Sequence, residues 1–358
     1  MRSFGVEEEL LLVAPDSGAP VALAGAVISE DVNNAPQSEL QQEQVETGTA
    51  PCTTLDELSA QLRARRRAAS RAAERRGAEV AALATSPVAV TPSTTPSGRY
   101  LEMVELYALT AQEQLTCGCH VHVSVSSEDE GVAVLDRIRP WLAPLLAMTA
   151  NSPFWQDGDT GYASYRHQVW GRWPSAGPTE LFGSPRAYHD IVQTMIESGG
   201  LLDEGMIYFD ARLSRRYPTV EIRVADVCLR SEDAVLLAAL VRALVETAAR
   251  AWRAGEPPEP TRMPLLRLAS WRASRSGLDG ELVHPLTERP APADLVVHAL
   301  LDHLTPALAD AGDLGLATDL TRRLLSRGNG ATLQRRVHRR TGDLAAVVRA
   351  AVTCTLDL

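Results

Sequence analysis

Residues 4–13, FGVEEELLLV, set three consecutive glutamates, Glu7, Glu8 and Glu9, inside an otherwise apolar run. Gly5 and Val6 before them, and Leu10 to Val13 after them, give the run the composition of a β-strand. Side chains alternate along a strand, so Glu7 and Glu9 share one face and Glu8 takes the other. Two carboxylates on one face of an apolar strand repel each other and lose hydration. That arrangement is costly unless a cation or protons lie between them. The stretch therefore predicts a metal site and raises the question of its other ligands.

Two more strands repeat the design. In CGCHVHVSV (117–125), His120 and His122 share a face, while Cys117, Cys119, Val121 and Val123 take the other. That parity argues against one zinc ion held by both thiols and both imidazoles, unless a bulge intervenes. In TVEIRVAD (219–226), Glu221 and Arg223 share a face, a pairing suited to a cation and an anion side by side. Taken singly, these pairs are more readily read as hydrogen-bonded histidines and a salt bridge within a sheet. Three such strands in one chain favour a site. Carboxylates with histidine suit Mg²⁺, or Mn²⁺ as the alternative, better than zinc. Mg²⁺ commonly bridges carboxylates to substrate phosphates, so the pattern points to Mg-ATP handling. Arg166, Arg172, Arg212 and Arg223 are candidate contacts for the phosphates and a carboxylate substrate.

The composition narrows the chemistry further. All 35 basic residues are arginine, which removes a Walker A lysine, a Schiff-base lysine and a Ser-x-x-Lys nucleophile. A net charge of −10 argues against a nucleic-acid or acidic-membrane binder. Carboxylates interrupt any signal-peptide core in MRSFGVEEEL, and no apolar run reaches transmembrane length. Five cysteines fit reduced thiols. The expectation is a soluble, cytoplasmic protein.

Along the chain, a second candidate strand lies in SELQQEQVETGTAP, with Gln42, Gln44 and Glu46 on one face. Glu39 falls on the opposite parity, so a bulge or loop would be needed to bring it to the site. Residues 54–84 read as one long helix opened by a Thr54/Glu57 capping box, its arginines on a solvated face. A short strand and a Pro/Ser/Thr loop are expected over 85–98, and a helix over 131–151. An aromatic, arginine-rich loop follows at 152–178, and its closure over the site would exclude water. A helix near 185–199 and a strand near 206–213 come next. The chain is largely helical from Asp233, with a linker at 254–264. Strand pairs joined too briefly for parallel crossovers give an α+β fold with an antiparallel sheet.

The ordered motifs GVEEEL, ELQQEQVETGT, CGCHVHV, RPWLAPLLAMTANSPFWQ, DTGYASYRHQVWGRW and YPTVEIRVADVC resemble the carboxylate-amine ligase family related to glutamate–cysteine ligase. The likeness runs through nearly the whole chain. It implies a glutamine-synthetase-like fold, with a curved antiparallel sheet holding Mg²⁺ and ATP on its concave face and helices outside. It implies one catalytic domain over residues 1–358, helix-rich from about 230. It further implies transfer of the ATP γ-phosphate to a carboxylate, usually that of glutamate, and attack on the acyl phosphate by an amine such as cysteine. Matched position by position, Glu7, Glu9, Glu46, Glu221 and His120 resemble metal ligands, with Glu39 as a further candidate. Arg223 resembles the phosphate-binding partner, and Arg212, Arg166 and His122 are further nucleotide contacts. Relatives of this kind are often homodimers. The competing readings are a metal-dependent hydrolase built on His120 and His122, and a catalytically silent relative.

Overall fold

In the computed structural model, which describes residues 1–30 and 36–357, the glutamate-bearing stretch is the central strand β1 (Phe4–Val13). Around it run β2 (Gln37–Ser38), β3 (Gln44–Gly48), β4 (Glu79–Ala81), β5 (Gly118–Ser124), a small hairpin of β6 (Phe154–Trp155) and β7 (Gly158–Asp159), β8 (Ala211–Leu213) and β9 (Thr219–Asp226). The main sheet has the order β2-β3-β1-β5-β9-β8, with β4 pairing the far end of β1. Every pairing in it is antiparallel. A second hairpin, β10 (Glu281–Val283) and β11 (Pro290–Pro292), lies apart.

Register carries the polar residues into a band across the sheet. Glu9 pairs with Glu46 on β3, and Glu46 with Gln37 on β2. Glu7 pairs with His120 on β5, His122 with Glu221 on β9, and Glu221 with Arg212 on β8. Alternation sends the neighbours of these residues to the opposite face. There Val6, Cys119, Val121, Val123, Val220 and Ile222 join one core with the long helix Ser231–Arg253. Leu10 to Val13, Val45 and Val80 build a second core with helix Leu55–Glu74 and helix Leu344–Thr355.

Several expected elements end differently. The capping box forms as anticipated, Thr54 accepting from Glu57 N while the Glu57 carboxylate accepts from Thr54 N. The helix stops at Glu74, however, instead of running to 84. Gly77 takes a positive φ of 74°, and Glu79–Ala81 then pairs with β1. The apolar stretch 78–84 was thus strand and core rather than helix. No strand forms over 85–90. The helix expected over 131–151 is interrupted by a 3₁₀ turn at Arg139–Trp141, where Pro140 cannot donate to the ladder. The aromatic stretch is no open loop: it holds the β6–β7 hairpin and helix Tyr165–Trp170, with Phe154 and Trp173 in the core. After helix Ser231–Arg253, regular structure resumes at Met263.

Candidate active site

The polar face of the sheet floors a cleft of about 540 Å³. Glu7, Glu9, Glu39, Glu46, His120, His122, Arg212, Glu221 and Arg223 all line it. An adjoining pocket of about 570 Å³ shares Glu7, Glu46 and His122 with it.

Glu8, the odd member of the triplet, points the other way and is fully buried. Arg66, from helix Leu55–Glu74, meets it in a fork: Nε to Oε2 at 2.9 Å and NH2 to Oε1 at 2.6 Å. The same guanidinium donates to the carbonyls of Cys228 (2.6 Å), Leu229 (3.1 Å) and Thr355 (3.3 Å). Two glutamates serve the cleft, and the third anchors the strand from behind.

Within the cleft the acidic groups fall into two sets. Glu7, His122 and Glu221 bring one ligand atom each within 4.8 Å of the others, and so do Glu9, Glu39 and Glu46. Glu39 reaches the site because Glu39 to Glu43 lie in the connection between β2 and β3, where strand parity does not apply. In that connection Gln42 turns off the face and donates to the Thr94 carbonyl. Glu46 is pushed well above the usual carboxylate range by burial and by Glu39 beside it. Glu9 and Glu39 are raised as well, burial leading in each case. Glu7 is held low: burial opposes its ionisation, but the imidazoles of His120 and His122 outweigh that. Glu221 is also held low, against burial, by Arg223 and Arg212.

The two histidines differ. His122 Nδ1 bonds Thr219 Oγ1 at 3.0 Å, and its Nε2 lies 3.4 Å from Glu7 Oε2 without a hydrogen-bond partner. A ring oriented at one nitrogen and open at the other is the usual posture of a metal ligand. His120 sits deeper, its Nδ1 3.5 Å from Arg223 NH1 and 3.8 Å from Glu7 Oε2. Burial, then Arg223, lowers its pKa to about 4, so it is neutral at physiological pH. The geometry thus puts His122, rather than His120, in the first acidic set.

The arginines sort likewise. Arg212 grips Glu221 with Nε (2.8 Å) and NH2 (3.2 Å), and Arg223 bonds Glu221 Oε1. Arg166 lies beneath the cleft instead of on its surface, donating to the carbonyls of Arg223 and Val224 at 3.4 Å. Its helix is pinned by buried Asp226, which accepts from Asn151 N, Ser152 Oγ and Ser164 Oγ. Arg166 and Arg223 both face the ring of Trp170, at 5.5 and 5.7 Å. Arg172 pairs with Glu113 away from the cleft. Sequence reading did not single out Trp170, Tyr208, Tyr217 or the Arg99–Asp203 pair, which also line the site. The run SRRYP ahead of β9 was the available signal for Arg215 and Arg216 at its rim.

The donor set fits a hard divalent cation. It is rich in carboxylate oxygen, offers one imidazole nitrogen with an open lone-pair position, and crowds acids that protons or a cation must separate.

Solved structures share this architecture. The glutamate–cysteine ligase of Francisella tularensis, determined with AMP, matches with a TM-score of 0.68 at 14% identity, over 100% of this chain and 89% of that one. The bifunctional glutathione synthetase of Pasteurella multocida matches at 0.73 and 15% identity, over 99% of this chain and 52% of that one. The fold is therefore the α+β, glutamine-synthetase-like fold of these ligases. Sequence likeness gives the family. The glutamate-cysteine ligase family 2 profile matches residues 3–350. Proteins of Streptomyces avermitilis and Streptomyces coelicolor, provisionally named glutamate–cysteine ligase 2-1 and 2, are 56% and 54% identical over 99% of both chains. The chain belongs to glutamate-cysteine ligase family 2 and is an ATP-dependent, amide-forming ligase. Among the described residues, no helix is long and apolar enough to cross a membrane.

Proposed function

We propose that this ligase joins an amine, cysteine or another small amine, to the side-chain carboxylate of glutamate through an acyl phosphate. It works in the cytoplasm, with the whole chain as one catalytic unit. The observation that carries the reading is the band of registered residues, Glu46–Glu9, Glu7–His120 and His122–Glu221–Arg212, with Arg223 beside it, in one cleft.

A carboxylate attacking a triphosphate brings two anions together, so charge must be neutralised and the groups aligned. Glu7, His122 and Glu221 would hold one Mg²⁺, and Glu9, Glu39 and Glu46 a second. Bound there, the ions would neutralise the phosphates and polarise the transferring phosphoryl group. Arg223 stabilises charge on that group from the floor of the cleft. Arg212 holds Glu221 in place, and neutral His120 lies between Arg223 and Glu7, its Nδ1 3.5 Å from the first and 3.8 Å from the second. Trp170 and Tyr208 wall the cleft with aromatic surface, which keeps water from the activated acid. No covalent enzyme nucleophile is required.

The test is ADP release from Mg-ATP with glutamate, adding cysteine and then other amines one at a time. ADP formation that needs both glutamate and one amine supports the reading and names the acceptor. Release that is indifferent to glutamate refutes it.

A further inference from the structure

Glu221 is contested. Its Oε2 accepts from Arg212 Nε at 2.8 Å, and its Oε1 accepts from Arg212 NH2 at 3.2 Å and from Arg223. The same carboxylate belongs to the set with Glu7 and His122 that is suited to a cation. A divalent ion on Glu221 would draw on the lone pairs these guanidiniums use, and at that range two like charges repel.

The two arginines are held unequally. Arg212 also donates from NH1 to the carbonyls of Ile207 (2.6 Å) and Gly205 (3.3 Å), so moving it breaks contacts to the backbone. Arg223 has no such tie. Among the described residues, the other hydrogen-bond neighbour of its guanidinium is His120 Nδ1, at 3.5 Å. Its Nε is buried without a hydrogen-bond partner. The guanidinium lies 5.7 Å from the centre of the Trp170 ring, which walls the same cleft.

We infer that Arg223 and a divalent cation compete for Glu221, so that cation binding releases Arg223 towards the anion in the cleft while Arg212 stays. This rests on the reading of Glu221 as a cation ligand. Glu221 is then a relay: the charge that enters on one side sets free a phosphate-binding group on the other. The cation and the arginine reach the phosphates in sequence, and Arg223 has little reason to hold phosphate before the cation is in place.

The experiment is Mn²⁺ binding to the full chain without nucleotide, followed by electron paramagnetic resonance, for wild type, Arg223→Met, Glu221→Gln and the double variant. Competition requires Arg223→Met to bind Mn²⁺ about tenfold more tightly, within the range of couplings between contacting groups. It also requires that gain to vanish on the Glu221→Gln background. No gain overturns the inference. An equal gain on both backgrounds overturns it too, because it reports only the loss of a nearby positive charge. Should Glu221→Gln alone leave Mn²⁺ binding unchanged, the cation reading of Glu221 fails first, and the two failures are told apart. If Arg223→Met proves unfolded by circular dichroism, the wild type still answers. Mg²⁺ should change the Trp170 fluorescence, taken as the difference between wild type and Trp170→Phe, as the guanidinium leaves the ring. An unchanged difference overturns the competition.

Discussion

Arg66 and Glu8 form a two-pronged ion pair, both side chains fully buried, on the face of β1 opposite the cleft. Because Glu8 stands between Glu7 and Glu9, this pair holds β1 from behind at the point where the two cleft glutamates are presented. Removing Arg66 alone leaves a buried carboxylate without its counter-charge. Arg66→Met should cost about 3–5 kcal/mol in denaturant unfolding. Pairing it with Glu8→Gln should recover part of that loss, since no uncompensated charge then remains. A double variant no more stable than Arg66→Met would refute the pairing argument.

Gly118 is a contact point. Its N–H donates to Glu9 Oε2 at 2.5 Å, and a Cβ built there would fall on Arg166 NH2 and come within 3.0 Å of Arg166 Cζ and His120 Nε2. Gly118→Ala therefore pushes apart the groups that support Glu9 and Arg223. Displacements of this size cost about 10²-fold in rate. We expect kcat/KM to fall by roughly that factor while the melting temperature moves by only a few degrees. Unchanged kinetics would show that the cleft tolerates the shift.

Glu46 illustrates the cost of the acidic cluster. Burial and Glu39 raise its pKa well above the usual range, so in the absence of a cation the cluster is destabilised by its own charges. Glu46→Gln should raise the melting temperature measured in a chelator and shrink the upward shift produced by Mg²⁺. Differential scanning fluorimetry with and without Mg²⁺ checks both signs at once. A variant that gains as much from Mg²⁺ as wild type would remove Glu46 from the cation site.

Asp210 offers a pH handle outside the cleft. It is buried, one carboxylate oxygen has no hydrogen-bond partner, and burial raises its pKa to about 7, partly offset by Arg166. The native state keeps its proton to about pH 7, whereas the unfolded chain loses it near the ordinary aspartate value of about 4. Its contribution is full below about pH 4 and is lost as pH rises to about 7. Asp210→Asn should thus stabilise the protein relative to wild type at pH 8 and not at pH 4. Urea midpoints at the two pH values decide it; equal effects at both would rule out titration of this side chain.

What the sequence revealed follows from what alternation can encode. Strand parity alone separates Glu7 and Glu9 from Glu8, and His120 and His122 from the cysteines. The structure keeps every one of those separations, sending Cys117 and Cys119 into the two cores. Parity says nothing of a partner from another element. Arg66 sits among other arginines in RARRRAASR and reads as solvated, because nothing local marks it as the partner of Glu8. Parity does not place Glu39 for the converse reason: it lies off the strand, where alternation has no force. The overrun helix at 75–84 has a similar cause. A short apolar run cannot be told from the end of a helix by periodicity, and the partner β1 decides between them. Arg166 reads as a contact for phosphate or a carboxylate substrate, yet Asp226 and Trp170 draw it below the cleft.

Arg66 also takes up the carbonyl of Thr355, 289 positions further along the chain. The strand that carries the cleft glutamates precedes residue 355 by most of the sequence, so the guanidinium at its back acquires this contact only once that residue has been made. Contacts so distant in sequence are slow to close. Glu8 and Arg66 lie 58 positions apart and can meet sooner, but until residue 355 arrives the buried pair lacks one of its carbonyl acceptors in a partly assembled chain. The setting of β1 behind the cleft is thereby tied to the helix Leu344–Thr355, whose last carbonyl shares the guanidinium with Glu8.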